Sequence, residues 1–537
     1  MGRFWAACFY AIAPSACAVA QPLSRPLLQP RIAVNGVVNA ASNAPVGWPN
    51  SSIAQGSIFS IYGGNLGPAS SPALEYPLAA TLGGVSVEVT SGGGAWNAIP
   101  IFVSPGQINA ILPDSTPAGA ATVTITYDNQ TSNPASFQVA AHSFGIFTVN
   151  STSFSQGSAV GIITGAGNRL YSVTSPANPG DAATVWGTGI GASPGDDGSG
   201  PPQQIDMPNL AMSVYVGNQP ANVLYRGRST FSGEDQIDFT IPPGITGCYI
   251  PVAVLIGNVV SNFVTMPIAP GGQSCPDAAM PNASSSTGAV ELTRIVAIGD
   301  KTSTKDFGLA FFGNPQFLGN LPLHPIPYIP FLMQVSLPAG TCVGGLILPS
   351  IFSILSGGPL DAGPDITITG PNGSEDLTRT PLFYTDQPPG RAGAHMPLYL
   401  GPGAYTVSAP GGSEADPVEN VGPFSHSFTM PQPLAWTNAG AIASVDRSAG
   451  VEVTWTGGDP AGTIQITGAS AAFICNTNTS DGHFSIPPFV LLSLPPSGTS
   501  TYDLTLSATS TAAFTASGIS AGTINSNVIV EKRVIYQ

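Results

Sequence analysis

Apolar and polar residues alternate with a period of two along most of this chain. Val85 to Val89 alternates cleanly, and in Ala121 to Tyr127 three threonines alternate with Ala, Val, Ile and Tyr. Because successive side chains of a β-strand point to opposite faces of a sheet, this period predicts strands with one buried face. Glycine or proline stands at the breaks, where tight turns belong. The pattern predicts an all-β protein with one short helix, beginning at Pro487-Pro488.

One segment of the chain occurs twice. GSIFSIYGGNLG, Gly56 to Gly67, is repeated 124 residues later as GDAATVWGTGIG, Gly180 to Gly191. Two further correspondences follow in the same order: Gln107-Ile108-Asn109 with Gln236-Ile237-Asp238, and Ser132-Asn133 with Ser261-Asn262. A chance match would not keep this order. The chain is therefore predicted to contain tandem immunoglobulin-like β-sandwich domains that arose by duplication.

The turn-rich breaks divide the chain into four predicted β-sandwiches. The two repeats are expected at 33–142 and 143–269, the second extended by a hairpin within 144–172. A linker without apolar period is expected at 270–287, and two further sandwiches of unrelated sequence at 288–433 and 440–537. The sequence does not define the boundary between the last two sandwiches sharply, and one interleaved domain is the alternative.

The repeat half also contains a series of motifs in a characteristic order. They read NAASNAP, GSIFSIYGGNLGPA, LGGVSVEV, PIFVSPGQINAILP, SNPASFQVA, SFGIFTVN, SPANPGDAATVWGTGIG and VSNFVTMPIA. Over about 37–269 the chain thereby resembles an uncharacterised family of secreted bacterial proteins, known mainly from acidobacteria and catalogued as a Solibacter-type C-terminal domain. More distantly it is similar to IPT/TIG immunoglobulin-like modules. The resemblance implies the fold and export but no catalytic residue. The family domain usually closes a protein, whereas this chain continues to Gln537.

Composition narrows the possible partners. Only 8% of the residues are charged, while 64 are glycine and 53 are proline. Disorder is the competing interpretation of so much glycine and proline, but 43% hydrophobic residues in alternating runs favour packed strands. The formal net charge is −15, and the 14 Lys and Arg residues are scattered singly. Nucleic acid is therefore not an expected partner.

The N-terminus has the form of a secretory signal. Arg3 precedes an apolar run from Phe4 to Ala16, and Ala18-Val19-Ala20 forms a cleavage site before Gln21. We therefore expect a signal peptide at 1–20, a secreted or cell-surface location, and no transmembrane span in the mature chain. A membrane anchor is the alternative, but the run is short and Pro14 interrupts it. A lipoprotein at Cys17 is a lesser alternative.

Four of the six cysteines remain in the mature chain, and in an exported protein they are expected to form structural disulfides. Three pairings are possible. Cys248 begins a strand of the second repeat and Cys275 follows its last strand, so a local bridge between them is the sensible choice. Cys342 with Cys475 is then left by elimination, and it would tie together two parts of the second half.

Several short patterns suggest chemistry, but each lacks its structural context. Gly518 to Gly522 matches the GxSxG pattern of hydrolases, yet no histidine follows it. Gly187 to Ala192 approximates a dinucleotide fingerprint without the βαβ unit that this requires. Calcium is conceivable at three acidic pairs expected in Gly-rich turns: Asp196-Asp197, Glu234-Asp235 and Glu375-Asp376. We predict no catalytic, cofactor-binding or metal-binding residue.

These observations favour an exported, non-enzymatic protein with a structural or adhesive role. Its partner is expected to be an extracellular protein or a polysaccharide. A carbohydrate-binding protein is the first alternative, and exposed aromatic residues in a line on one sheet face would favour it. A hydrolase with its site in 289–537 is the second, and it would need a pocket with converging Asp, Glu or His side chains.

Overall fold

The computed structural model is an all-β protein of tandem immunoglobulin-like units. It describes residues 29–149, 160–194, 197–198, 203–273, 275, 286–299, 301–313, 337–345, 360–381, 383–387, 397–414, 419–470 and 472–537. The predicted signal peptide and most of the predicted linker lie outside these residues. We call the two duplicated units the first and the second repeat, and the described part of residues 286–537 the C-terminal half.

The first repeat is a β-sandwich in which strands far apart in the sequence pair with each other. Its strands are β1 Arg31–Asn39, β2 Ile53–Ala54, β3 Ile58–Gly64, β4 Thr81–Leu82, β5 Val85–Ser91, β6 Gly94–Val103, β7 Gln107–Ile111, β8 Gly119–Tyr127, β9 Gln130–Thr131 and β10 Ala135–Ala140. They follow the order β1-β3-β7-β6-β5-β8-β10-β2. The residues that alternate in β5 and β8 put Val87, Val89, Val123 and Ile125 into one core. The alternation predicted from the sequence is confirmed there.

The second repeat has the same topology. Its strands are β11 Gly145–Ile146, β12 Ile163–Thr164, β13 Ala182–Thr188, β14 Ile205–Asp206, β15 Met212–Val216, β16 Gln219–Arg228, β17 Asp235–Thr240, β18 Gly247–Ile256, β19 Val259–Val260 and β20 Val264–Ile268. The order β11-β13-β17-β16-β15-β18 reproduces β1-β3-β7-β6-β5-β8 of the first repeat. The added hairpin is present, since Thr148 pairs with Gly161 and β12 pairs with β13.

The duplication extends to the backbone of the turns. Asn65 and Gly189 occupy equivalent positions after β3 and β13, and both have positive φ, 56° and 112°. Asparagine and glycine are the residues that adopt this conformation most readily. The next residue, Leu66 or Ile190, is fully buried in each copy. The glycine-rich segment that approximates a nucleotide fingerprint is thus a strand-to-turn segment of the sandwich.

The repeated Ser-Asn motif fastens the first strand of each sandwich. Asn133 Oδ1 accepts from the N–H of Ile32 at 2.9 Å, and its Nδ2 donates to the Ile32 carbonyl at 3.2 Å. Asn262 makes the same two bonds with Ile146, at 2.8 and 3.0 Å. Each asparagine amide thus bonds the backbone N–H and C=O of one residue, as a neighbouring strand would. It satisfies a buried donor and a buried acceptor of the backbone. The role of the motif as a clamp depends on a contact across more than 100 residues, which local sequence does not specify.

The C-terminal half is built around very long strands. Its strands are β21 Thr287–Ile298, β22 Ser303–Gly313, β23 Thr341–Gly344, β24 Asp365–Gly370, β25 Gly373–Arg379, β26 Tyr384–Thr385, β27 Gly403–Ala409, β28 Phe424–Met430, β29 Ala435–Trp436, β30 Ser444–Val445, β31 Val451–Thr456, β32 Thr463–Gly468, β33 Phe473–Asn478, β34 His483–Ile486, β35 Tyr502–Phe514 and β36 Ala521–Tyr536. The short α-helix Pro488–Leu492 begins where the proline pair predicted it.

One sheet runs through both segments that the sequence divides at about 433–440. Its order is β23-β33-β32-β35-β36-β21-β22-β26-β25-β24-β27-β28. The connection is the parallel pairing of β21 with β36, which joins the start of this half to the end of the chain. The division into a third and a fourth unit stays a prediction, and the two segments share strands of a single hydrogen-bonded sheet.

Four cysteines form two disulfides, Cys248–Cys275 and Cys342–Cys475. Cys342 and Cys475 lie directly opposite each other on β23 and β33. The second bridge therefore fastens an edge strand to the sheet across 133 residues of sequence. The pairing that remained by elimination in the sequence is the one observed.

We expect Asn262→Ala to destabilise the second repeat by about 3 kcal/mol, because it leaves the buried N–H and C=O of Ile146 without partners. The midpoint of urea unfolding, followed by intrinsic fluorescence, measures this change. Asn97→Ala, on an exposed position of β6, is the matched control and should change stability by less than about 0.5 kcal/mol. Equal effects of the two substitutions would contradict the assigned clamp.

Candidate functional site

A buried charge cluster joins the first repeat to the second. Arg228, at the end of β16, is 5% exposed and forms ion pairs with Asp235 of its own repeat and Asp114 of the first repeat. Its Nη2 also donates to the Gly191 carbonyl at 2.8 Å, and its Nε donates to Ser193 Oγ at 3.2 Å. We call these residues the joint. A guanidinium can be buried in this way only when carboxylates and carbonyls occupy its donors.

Each carboxylate of the joint is held by further donors. Asp235 Oδ2 accepts from the N–H of Ile190 at 2.7 Å, and Asp114 Oδ2 accepts from the N–H of Ser193 at 3.2 Å. Asp197 Oδ2 accepts from the N–H of Asp114 at 2.9 Å. Burial raises the pKa of Asp197 to about 6, so this outermost carboxyl titrates in mildly acidic solution. The joint therefore contains more carboxyl groups than its single arginine neutralises.

Neutral contacts complete the joint. Thr188 Oγ1 accepts from the N–H of Ile58 at 2.8 Å and donates to the Gly233 carbonyl at 2.6 Å. Asn39 Nδ2 donates to the carbonyls of Ser143 and Thr188, at 3.0 and 3.1 Å. Beneath the ion pairs, Gly56 has φ +70°, and a Cβ there would collide with the Asp114 and Arg228 side chains. The first glycine of the duplicated motif thus has a function in the first repeat that Gly180 lacks.

The second repeat is fastened to the C-terminal half by an aromatic stack. The Phe489 ring, on the short helix, lies parallel to Tyr215 with centroids 3.9 Å apart and stacks on Phe263 at 5.9 Å. The Asn218 side chain donates to the carbonyl of Gly340 at 2.9 Å and accepts from the N–H of Cys342 at 3.1 Å. This amide caps the edge of β23 beside the disulfide. Both junctions of the described chain are therefore packed interfaces.

The C-terminal half contains a fully buried acid. Glu291, on β21, accepts from Asn525 Nδ2 at 2.5 Å and from Asn527 Nδ2 at 2.8 Å, both on β36. The two asparagines in turn accept from Thr511 and Thr509 of β35, at 2.7 and 2.8 Å. No cation faces the carboxyl among these contacts, and burial raises the pKa of Glu291 to about 8. The group is therefore mostly protonated at neutral pH, and it links three central strands.

A second buried acid lies under β22. Asp386 Oδ2 accepts from the N–H of Gly308 at 2.8 Å and from the Tyr399 hydroxyl at 3.0 Å. Its Oδ1 has no hydrogen-bond partner in the described residues, and burial raises the pKa of Asp386 to about 6. With Asp386 1% and Tyr399 5% exposed, the pair is closed to solvent. Its contacts organise the segments around β22 and β26.

The structure corrects the positions expected for the acidic pairs. Glu375-Asp376 lies within β25 and not in a turn, and Asp376 accepts from Thr367 Oγ1 at 2.7 Å. Asp235 begins β17 and is fully buried against Arg228. The neighbouring glycines suggested turns, but these residues pair with adjacent strands and therefore lie in strands. Asp196 lies outside the described residues, which contain no group of three or more His, Cys, Asp or Glu side chains placed to hold a metal ion.

The first repeat exposes two aromatic rings on one sheet face. Tyr62 of β3 stands opposite Gln107 of β7, and Phe102 of β6 stands opposite Asn109 of β7. Tyr62 is 36% and Phe102 39% exposed. We call these four residues the open face. Trp455, by contrast, lies in the core of the C-terminal half.

Comparison with known proteins yields only distant structural likeness. No family model matches the chain, and no curated protein matches it. Among solved structures, a tetra-tandem repeat from the extending region of a large adhesion protein is 14% identical, with 88% of this chain and 95% of that chain covered and a TM-score of 0.12. Immunoglobulin domains 1–4 of Sidekick-1 are 10% identical, with 93% and 99% covered and a TM-score of 0.13. The extracellular region of plexin A4 is 10% identical, with 85% and 29% covered and a TM-score of 0.16.

No helix among the described residues is long and apolar enough to cross a membrane.

The raised pKa of Glu291 predicts a pH-dependent stability. Because the carboxyl ordinarily titrates at 4.5 and at about 8 in the fold, the folded state binds more protons between these values. Its stabilising contribution is fully present below pH 4.5 and is lost as the pH rises to about 8. The loss is at most about 5 kcal/mol, at roughly 1.4 kcal/mol per pH unit.

We expect Glu291→Gln to flatten this dependence, since the amide keeps the shape of the side chain without an ionisable proton. Thermal unfolding at pH 5, 7 and 9 measures it, and the difference between variant and native protein isolates the single group. Glu452→Gln, at an exposed position of β31, is the control and should leave the profile unchanged. A native slope that survives in the Glu291→Gln protein would contradict the assignment.

Proposed function

We propose that this protein is an exported, non-enzymatic scaffold of immunoglobulin-like units with a structural or adhesive role outside the cell. The observation that carries the proposal is the joint, in which Arg228, Asp235 and Asp114 are buried between consecutive repeats. A buried ion cluster tolerates little displacement, because separating its members leaves a charge without a partner in a medium of low polarity. It therefore holds two units at a set angle, as a stalk or a surface layer requires.

Three further features support this role. The Phe489 stack continues the packed contact into the C-terminal half. Two disulfides suit an oxidising compartment, and the predicted signal peptide suits export. The motif order over 37–269 supports membership of the uncharacterised secreted family that the sequence resembles. The buried acids Glu291 and Asp386 are engaged in strand-to-strand contacts, which favours a structural role for them over hydrolysis.

The test is the spread of the distance between the two repeats in the full-length protein. Spin labels on exposed Ala120 of β8 and Leu224 of β16 report this distance by pulsed electron resonance. We expect one narrow distribution in the native protein. Asp114→Ala should broaden it, because this change removes the carboxylate that crosses the joint and leaves the Arg228–Asp235 pair in place.

Glu88→Ala, another acidic residue of the first repeat but exposed on β5, is the matched control and should leave the distribution narrow. A broad distribution in the native protein would describe units that move independently, and it would overturn the scaffold proposal. An Asp114→Ala protein as rigid as the native one would show that the ion pair across the joint is not what holds the units.

A further inference from the structure

The open face is a polar and aromatic surface without charge. Tyr62 and Phe102 lie at its two ends, roughly 12 Å apart by strand geometry, with Gln107 and Asn109 between them. The Tyr62 hydroxyl donates to Asn43 Oδ1 at 3.2 Å, which fixes the direction of the ring. The rings are therefore presented on the rigid strands of the sheet.

The two amides between the rings form hydrogen bonds through only some of their polar atoms. Asn109 Oδ1 accepts from Ser60 Oγ and from Gln107 Nε2, both at 2.9 Å. Among the described residues, Asn109 Nδ2 and Gln107 Oε1 have no hydrogen-bond partner. The face thus offers one donor group and one acceptor atom side by side, at half-buried positions.

The second repeat has the same constellation with its polar atoms satisfied internally. Trp186, Gln236, Asp238 and Tyr225 replace Tyr62, Gln107, Asn109 and Phe102, and the strand bulge before the last aromatic is conserved between the copies. Gln236 Nε2 donates to both oxygens of Asp238, at 3.0 and 3.1 Å, and Gln204 Nε2 donates to Gln236 Oε1 at 2.8 Å.

The aromatic residues of the second copy are also engaged. The indole N–H of Trp186 donates to Thr164 Oγ1 at 2.9 Å, and the Tyr225 hydroxyl donates to the Arg228 carbonyl at 2.6 Å. The chain itself therefore supplies the partners of this face in the second repeat. In the first repeat the described residues supply no such partner to Asn109 Nδ2 or Gln107 Oε1.

We propose that the open face binds a neutral carbohydrate, with a sugar ring against Tyr62 or Phe102 and its hydroxyls on Asn109 and Gln107. Aromatic faces suit the C–H surface of a sugar ring, and an amide donor beside an amide acceptor suits neighbouring hydroxyls, which both donate and accept. The lack of charge on the face disfavours an anionic ligand. An extended proline-rich peptide also uses aromatic rings, but it would leave the central amide pair largely unsatisfied.

The surface continues beyond Tyr62 into a groove. A cavity of about 1330 Å³ lies between β1 and the start of β10. Tyr62, Asn65, Asn133 and one charged residue, Arg31, line it. Val34, on the bulge of β1, is 91% exposed at its wall. The groove and the open face share the Tyr62 ring, so that a chain of several sugar units can extend from one to the other. An oligosaccharide should therefore bind more tightly than a single sugar.

The inference goes beyond the scaffold role and does not depend on it. The test uses the full-length oxidised protein and isothermal titration with neutral oligosaccharides prepared from cellulose, xylan, mannan and β-1,3-glucan. We expect saturable binding of at least one probe, and at least tenfold weaker binding after Tyr62→Ala/Phe102→Ala. The matched control is Tyr502→Ala/Phe383→Ala, which removes a tyrosine and a phenylalanine that are each 38% exposed in the C-terminal half.

Asn109→Asp is the second variant. We expect it to fold, because the second repeat has an aspartate at the equivalent position, where Asp238 accepts from Thr184 and Gln236. It keeps the acceptor for Ser60 and removes the outward N–H donor, so we expect it also to lose at least tenfold in affinity with an unchanged melting temperature. Native affinity in both variants would overturn the proposal. So would an equal loss of affinity in the control, or absence of binding by every probe. The distance distribution across the joint should remain narrow in all of these proteins.

Discussion

The burial of Arg228 is the constraint on which the arrangement of the repeats depends. A guanidinium that is 5% exposed needs acceptors in all of its donor directions, and here they come from two repeats and from the glycine-rich turn. The turn must bring the Gly191 carbonyl and the Ile190 N–H to the cluster at once, which requires the left-handed backbone of Gly189. Turn, ion pair and inter-repeat angle are therefore one structural unit.

The two copies of the repeat separate what the fold requires from what each copy does. The Ser-Asn clamp and the Gln–Asn/Asp contact along β7 or β17 are present in both copies, with nearly equal distances, and they belong to the fold. Asp235 is not shared, because Gly106 occupies the equivalent position beside Gln107. The buried ion pair is thus a feature of the second copy alone, at the place where it meets the first.

Local pattern was sufficient for alternating strands such as β5 and β8 and for the short helix, because each depends on residues near in sequence. The local disulfide Cys248–Cys275 belongs to the same class of inference. Local pattern was wrong at Glu375-Asp376, which was expected in a turn and lies in β25. The shared sheet of the C-terminal half could not be predicted in this way. Its strands β21 and β36 pair in parallel across 234 residues, and the alternation of neither strand specifies its partner. The buried state of Glu291 follows from that pairing and carries no signal of its own. The nearest local signal is the pair Asn525 and Asn527, two amides that directly precede the apolar run Val528 to Val530 in β36.

Charge and amide chemistry at one equivalent position account for part of the difference between the faces of the two copies, and Gln204 supplies a further partner in the second copy alone. With a carboxylate at Asp238, the neighbouring glutamine amide is drawn into two internal bonds, and the face closes upon itself. With an amide at Asn109, one oxygen accepts both internal donors, so that the N–H group faces outward. The amide at this position therefore leaves a donor that needs an external hydrogen-bond acceptor, whereas the carboxylate leaves none. The first repeat, which is fastened to the rest of the chain at the opposite end of the same face through Ile58, presents that surface on a support that the joint keeps rigid.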